Sequence, residues 1–111
     1  GIPMPSRLAD EHEMMELTGA LGEAGKGAFM LTKGMKTTVP WLENICEKNG
    51  RPVMIAAMFV DPGDPERVFR EIGEIEAARE RGRELWSQVG CFPLGMEFTL
   101  EHPYPLEALI N

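Results

Sequence analysis

The side chains that most often hold metal ions, histidine and cysteine, are few and widely spaced in this sequence. The two histidines are His12 and His102, and the chain contains no HxH, HExxH or CxxC spacing. His12 lies among acidic residues at the start of a predicted helix, which indicates exposure to solvent, and His102 precedes Pro103 in a predicted loop. Because a metal site needs several such ligands at suitable spacing, we expect no metal site within this segment.

Nucleophile and nucleotide motifs are equally sparse. Cys46 and Cys91 are far apart, and each has an apolar sequence context that is typical of a buried free thiol, which suits a cytoplasmic protein. The sequence has no Gly-x-Ser-x-Gly, Walker or GxGxxG motif. The glycine-rich run 22–27 follows a predicted helix and precedes a predicted strand, which is the reverse of the order in phosphate-binding loops. We therefore interpret it as a helix stop and a tight turn.

Three helices are predicted from capping residues and apolar spacing. The first spans about 10–24 with Asp10 as its N-cap, and the second begins at Thr37 or Thr38 and ends at Asn49-Gly50. The third spans about 65–81 and follows Asp64 as its cap. Apolar residues predicted to keep the helical period include Leu17 in the first helix and Phe69 in the third. The acidic side of the third helix, Glu71 included, is predicted to be solvated.

Short apolar runs between these helices predict strands at 28–32, 53–60 and 85–89, with a weak strand or 3₁₀ turn at 96–100. The first two runs are continuously apolar, so we expect them to be buried on both faces, and 53–60 to be the central strand. Alternation of helices and strands predicts a parallel sheet, in an α/β fold with about three strands. A small doubly wound sheet and an arc of a (β/α)₈ barrel both satisfy this pattern.

Any site in such a sheet is expected beyond the carboxyl ends of its strands. The residues that follow the predicted strands there are candidates by location only. The substrate-side candidates are Lys33, Asp61 and Gln88. Thr32, Lys36, Asp64 and Cys91 lie along the same predicted edge.

Composition describes one globular domain with an acidic surplus. The chain has 111 residues, with 18 acidic and 11 basic side chains and a net charge of −7. Phosphate-binding surfaces need clustered lysine and arginine, so this balance argues against nucleic acid or an anionic membrane as a partner. No apolar run approaches the roughly 18–20 residues of a membrane span. The chain begins Gly1-Ile2-Pro3, so we expect a removed leader or a segment of a longer protein.

Several stretches, taken in order, resemble the N-acyl-D-amino-acid deacylase (D-aminoacylase) branch of the amidohydrolase superfamily. The segment 1–9, GIPMPSRLA, is similar to a G-x-P-x-P-S-R-x-A stretch of that family, and 21–27 is similar to the G-E-A-G-x-G stretch that follows it. Residues 50–53 resemble the family's entry into the next strand. Gln88-Val89, with Pro93 and Gly95 after it, resembles a Q-V-x-x-R-P-x-G turn, although Phe92 stands in place of its arginine.

The resemblance implies a (β/α)₈ (TIM) barrel hydrolase in which a zinc-type ion activates water to cleave amide C–N bonds of N-acyl amino acids. The histidine-rich strands that bind the metal in that family have no counterpart in this chain, so no catalytic or metal-binding residue is carried over. We therefore expect residues 1–111 to be a single α/β segment of a larger metal-dependent hydrolase, inactive in isolation. The alternative is an autonomous small α/β domain that binds a ligand or dimerises without catalysis.

An arc cut from a barrel exposes an apolar sheet face that the missing strands would cover. One of two alternating sets in the central run would then face water: Val53, Ile55, Ala57 and Phe59, or Met54, Ala56 and Met58. We expect the chain to hide this face by homo-oligomerisation, with exchange of the N-terminal arm as one route.

Overall fold

The computed structural model describes Ser6 and residues 8–34, 37–91, 93, 95 and 97–101 of the chain. Within this part, helices and strands alternate in the order α1 (Glu11–Ala24), β1 (Phe29–Leu31), α2 (Val39–Asn49), β2 (Val53–Ile55), α3 (Arg67–Glu80) and β3 (Leu85–Ser87). Both strand pairs are parallel, and the strands lie in the sheet in their chain order, β1-β2-β3. The predicted α/β class, the alternation and the central place of the second strand are confirmed.

The ends of α1 and α2 are set by short polar residues and glycines. The side chains of Asp10 and Thr38 accept hydrogen bonds of 2.8 and 3.3 Å from backbone N–H groups in the first turns of these helices. Gly25 and Gly50 follow the helices with φ angles of 65° and 59°, a left-handed conformation that glycine adopts without steric cost. The predicted starts and ends of both helices are confirmed, including the helix stop in the glycine-rich run.

Helix α3 begins later than predicted, and Asp64 is not its cap. The residue at the N-cap position is Glu66, which makes no capping hydrogen bond with its side chain. Asp64 lies in the preceding turn, where its carboxylate accepts a hydrogen bond of 2.6 Å from the Arg70 guanidinium. The prediction was wrong because the helix starts at Arg67, so the residue directly before it is Glu66 and Asp64 lies three positions ahead of the first helical residue.

Among the described residues, helices cover one face of the sheet only. Its register aligns three rows: Phe29, Val53 and Leu85; Met30, Met54 and Trp86; Leu31, Ile55 and Ser87. Val53, Ile55 and Leu85 are at most 1% exposed and belong to a core that also contains apolar residues of α2 and α3. Met30 and Trp86, in contrast, are 54% and 42% exposed. We call the row Met30, Met54 and Trp86 the bare face.

The prediction that the first two strands are buried on both faces is therefore wrong. The core lies on one face of the sheet, and no helix or strand of the described residues covers the alternate residues on the other face. The central strand is also shorter than the apolar run 53–60, because it ends at Ile55, and Phe59 and Val60 are exposed. An apolar run alone does not distinguish a strand covered on both faces from one covered on a single face.

Helix α1 packs on α2 through a polar contact rather than through its predicted apolar side. Thr18 is 1% exposed, and its hydroxyl accepts a hydrogen bond of 2.7 Å from the Asn49 side chain. Met15 packs against the core, whereas Leu17 is 59% exposed. Phe69 of α3 is exposed as well. The prediction that Leu17 and Phe69 belong to the buried apolar sides of their helices is therefore wrong. The buried hydroxyl is acceptable because it also donates to a backbone carbonyl one turn earlier.

Arg51 joins the turn after α1 to the start of β2. Its guanidinium donates hydrogen bonds of 3.1 Å to the carbonyl oxygen of Gly25 and 2.8 Å to that of Gly27. These carbonyls follow the end of α1, where backbone oxygens lack partners within the helix. A single side chain therefore fixes the α1–β1 connection against the α2–β2 connection.

Two ion pairs join α2 to the turn that follows α3. The Arg81 guanidinium donates two hydrogen bonds of 2.7 Å to the Glu43 carboxylate, and Arg83 donates to Glu47 one helical turn further on. The hydrogen bond from Arg81 holds the pKa of Glu43 below its ordinary value. These pairs bring together residues almost forty positions apart in the sequence.

Some sequence predictions fall largely outside the described residues. They are most of the N-terminal arm 1–9, the turn at 106–110, and the loop positions Lys36 and His102. Among residues 97–101, which are described, only an isolated bridge at Thr99 appears where a weak strand was predicted over 96–100. No helix in the described part of the chain is long and apolar enough to cross a membrane.

Candidate functional site

The carboxyl ends of the parallel strands place two of the three candidates directly at one edge of the sheet. Lys33 lies two residues beyond β1, and Gln88 follows β3 immediately. Asp61 lies six residues beyond the end of β2, in the loop that leads to α3.

Lys33 is held in a largely buried ion pair. Its ammonium nitrogen lies 2.6 Å from Oε1 of Glu71 in α3, and the two side chains are 8% and 17% exposed. A lysine so deeply buried is stable in its charged form only with an opposite charge in contact. Lys33 is consequently fixed against α3 and is not a cation projecting freely from the sheet edge.

Arg67 extends this pair towards Asp61. Its Nε donates a hydrogen bond of 3.2 Å to the same Oε1 of Glu71, and its Nη1 lies 3.6 Å from Oδ2 of Asp61. We call Lys33, Glu71, Arg67 and Asp61 the edge network. Two of the three predicted candidates, Lys33 and Asp61, are thus connected through two residues of α3.

Asp61 also shapes the loop in which it lies. Its Oδ1 accepts a hydrogen bond of 2.9 Å from the backbone N–H of Gly63, and its carbonyl accepts one of 3.1 Å from the N–H of Asp64. This is the geometry in which an aspartate side chain closes a turn. Next to it, the Arg70 guanidinium holds the pKa of Asp64 below its ordinary value.

Gln88 does not join the edge network. Its backbone N–H donates to Ile55 at 3.0 Å, and its carbonyl accepts from Met58 at 3.0 Å, while its side chain is exposed. Gln88 therefore continues the contact between the β2 and β3 segments beyond the regular sheet. Cys91, expected to be a buried thiol, is exposed, which corrects that prediction.

A shallow groove of about 430 Å³ adjoins the edge network. Its lining includes Lys33, charged residues of α3 such as Arg67 and Glu71, and Thr38, Val39 and Pro40 at the start of α2. The charges of the edge network alternate in sign and sum to zero, so each group is already compensated by its neighbour. This arrangement positions loops well and offers little charge to a ligand.

Sequence reasoning missed two residues of the edge network, Glu71 and Arg67. Glu71 was placed on the solvated side of α3, but its side chain is only 17% exposed. The i, i+4 spacing of Arg67 and Glu71 does signal an ion pair on one helix face. The sequence carries no comparable signal for Lys33, because it lies 38 positions from Glu71.

A second, smaller cavity of about 290 Å³ lies beside the amino-terminal ends of β2 and β3, and Cys46, Arg51 and Arg83 are among its lining residues. Cys46 is buried, as expected, and burial raises the pKa of its thiol. A thiol with a raised pKa is a poor nucleophile near neutral pH, since the thiolate is the reactive form. In the described part of the chain, no three His, Cys, Asp or Glu residues are arranged to hold a metal ion.

No protein-family model, curated protein or solved structure matches the chain.

Proposed function

We propose that the chain is an arc of a (β/α)₈ barrel from a metal-dependent amidohydrolase. The parent enzyme would hydrolyse amide C–N bonds of N-acyl amino acids or similar substrates in the cytoplasm. This proposal joins the ordered sequence resemblance to D-aminoacylases with the geometry of the sheet. On this proposal the 111 residues alone are inactive.

The observation that carries the proposal is the one-sided sheet. Its strands are parallel and lie in chain order, and the core that the described residues form lies on one face of it. In a barrel, helices cover the outside of the sheet and apolar side chains of the strands fill the interior. A doubly wound sheet instead has helices on both faces. The bare face, with Met30, Met54 and Trp86 in one row, lies opposite the helices, as the inner face of a barrel does, and this supports the proposal.

The edge network has a role consistent with such a barrel. Active sites of these barrels lie at the carboxyl ends of the strands and are built from the loops that follow them. The pairing of Lys33 with Glu71, and of Arg67 with Asp61, holds the loops after β1 and β2 against α3 at that end. We propose that these residues position loops and take no direct part in the reaction.

The residues described here do not fit a zinc centre, because no suitable group of three potential ligands occurs among them. We therefore assign the ligands of the zinc ion to other strands of the parent protein. The reaction step at the metal lies outside what this chain supplies.

The proposal is tested by expressing the complete reading frame that encodes this segment, beside the 111-residue chain as its matched control. We expect the longer protein to release free amino acids from an N-acetyl-D-amino-acid panel and to retain zinc after purification, and the short chain to do neither. Hydrolysis by the short chain alone would contradict the proposal. A complete reading frame limited to this segment, or a longer product inactive with added zinc, would favour an autonomous binding or dimerisation domain instead.

A further inference from the structure

We propose that the pair Asn49-Gly50, at the end of α2, is a site of spontaneous deamidation that helix α1 protects. In this reaction the backbone nitrogen of Gly50 attacks Cγ of Asn49 and loses its proton, and the side-chain nitrogen leaves as ammonia. Water then opens the five-membered imide. Cleavage at Cγ leaves aspartate, and cleavage at the backbone carbonyl leaves isoaspartate. The proposal does not rest on the proposed function.

The residue that follows Asn49 makes this asparagine reactive. Gly50 has no side chain to hinder the approach of its nitrogen to Cγ, and its backbone rotates more freely than that of any other residue type. It is exposed and lines the smaller cavity, so water reaches the pair. Asn44 lies in the same helix but precedes Ile45, whose branched side chain hinders the same ring closure. Asn44 is therefore an internal control.

Three contacts oppose the reaction in the folded chain. The side-chain nitrogen of Asn49 donates a hydrogen bond of 2.7 Å to the Thr18 hydroxyl and lies 3.9 Å from the sulfur of Met15. The N–H of Gly50 donates to the Cys46 carbonyl at 3.0 Å. Ring closure also requires the half-buried Asn49 to leave its helical backbone conformation. The nucleophile and the leaving group are thus both held away from the reacting geometry.

Release of α1 frees the leaving group. Thr18 and Met15 both belong to α1, and Met15 is the residue through which this helix packs against the core. The core between α2, α3 and the sheet stays intact when α1 leaves, so the release is a sub-global opening. The uncovered end of α2 then frays as helix ends do. The rate of deamidation therefore follows the fraction of chains in which α1 is released.

The reaction product weakens the attachment of α1. A carboxylate at position 49 only accepts hydrogen bonds, and the Thr18 hydroxyl already donates at 2.8 Å to the carbonyl of Met14. The hydroxyl would have to give up that bond to contact the carboxylate. Isoaspartate, in addition, lengthens the backbone between α2 and β2. Since ammonia is lost, each chain that reacts keeps a weakened contact between α1 and α2.

The test follows deamidation by mass spectrometry of peptides that contain residue 49, after incubation in mildly alkaline buffer. Each rate in the folded chain is divided by the rate of the same variant in guanidinium chloride. We expect folded wild type to react at least about tenfold more slowly than the unfolded chain, and Asn44 to stay intact in both. Thr18→Val removes the hydroxyl and should raise the folded rate roughly tenfold. Thr18→Ser keeps the hydroxyl and should react like wild type.

Ile75→Val is the matched control, because it loosens the core between α3 and the sheet and leaves the contacts of α1 in place. Its folded rate should equal that of wild type. If circular dichroism shows that Thr18→Val is unfolded, Arg51→Ala decides the question, since it removes only the contacts to the turn after α1. Arg51→Ala should also accelerate the reaction at Asn49.

A folded wild type that deamidates as fast as the unfolded chain would overturn the proposal, as would an unfolded chain that does not react at Asn49. A folded Thr18→Val variant with the wild-type rate would show that α1 gives no protection. Acceleration by Ile75→Val equal to that by Thr18→Val would assign the reaction to global unfolding instead.

Discussion

The Lys33 side chain illustrates how a charged residue can be fixed in a small α/β layer. Lys33 and Arg67 both contact Oε1 of Glu71, so one carboxylate compensates two cations. The two cations differ in their other surroundings, because Lys33 is 8% exposed and Arg67 is 38% exposed. Loss of the shared carboxylate therefore has more serious consequences than loss of either cation.

We expect Glu71→Gln to lower the free energy of unfolding by about 1–3 kcal/mol, because it leaves a buried ammonium without its counter-charge. Lys33→Met should cost less, since Glu71 keeps its contact with Arg67 and the methionine fills most of the same volume. Urea unfolding followed by circular dichroism measures both values. A larger loss for Lys33→Met than for Glu71→Gln would show that the carboxylate is not the centre of the network.

The pair between Glu43 and Arg81 predicts a dependence of stability on pH. The pKa of Glu43 is lower in the folded chain than its ordinary value, so the pair stabilises the fold above about pH 4.3 and this contribution is lost as the pH falls through the lowered value. We expect Glu43→Gln to be less stable than the wild type at pH 7, and the difference to shrink below pH 4.

Thermal unfolding of both proteins between pH 2.5 and 7 measures this effect. Glu76→Gln is the matched control, because it removes an exposed carboxylate of α3 that takes no part in the pair. A difference between Glu43→Gln and wild type that is constant over the whole range would contradict the assignment.

At the scale of single residues, the sequence predicted helix caps better than ion pairs. Asp10, Thr38, Gly25 and Gly50 act on groups a few positions away, so their effect is readable from local spacing. Lys33 and Glu71, or Glu43 and Arg81, meet only because the chain folds back on itself. Glu71 was assigned to solvent for this reason, since no local feature distinguishes it from its acidic neighbours.

Helices α1 and α2 lie close together at Gly22. A methyl group there would lie 2.9 Å from the backbone oxygen of Asn49, which is too close for a carbon–oxygen contact. The same asparagine donates its side-chain amide to Thr18. The crossing of the two helices is therefore set by a small residue and a buried hydrogen bond rather than by large apolar side chains.

Replacing a helical glycine by alanine should have opposite effects in α1 and α3. Gly22→Ala should destabilise the chain by at least about 1 kcal/mol, because the clash with Asn49 exceeds the gain in helix propensity. Gly73→Ala should stabilise it by roughly 0.5–1 kcal/mol, since its added methyl group meets nothing within 4 Å. Chemical denaturation of both variants checks the signs. Stabilisation by Gly22→Ala would show that the helices separate easily.

The strands were located correctly in the sequence, but their extent and burial were not. The apolar runs contain β1, β2 and β3 as predicted. The strands are shorter than the runs, because regular pairing ends at Leu31, Ile55 and Ser87. Strand length depends on where neighbouring strands stop, and burial depends on which layers are present. Neither quantity is contained in a single apolar run.

At the scale of the whole molecule, the described part of the chain is one layer of helices on a three-stranded sheet. Its core consists of side chains between α2, α3 and one face of the sheet. Alternating helices and strands were sufficient to predict the parallel sheet, whereas a barrel arc and a doubly wound sheet could not be separated from the sequence. The difference between them depends on what lies across the bare face.

The attachment of α1 has a consequence for how the chain opens. This helix contributes to the core only through the partly buried Met15, and its polar anchors are the Thr18–Asn49 bond and the Arg51 contacts to Gly25 and Gly27. Breaking these contacts would release α1 while the sheet and its core stay folded, which is a sub-global opening. In hydrogen–deuterium exchange, the backbone amides of α1 should therefore exchange faster than those of α2. Arg51→Ala should increase this difference in exchange rate.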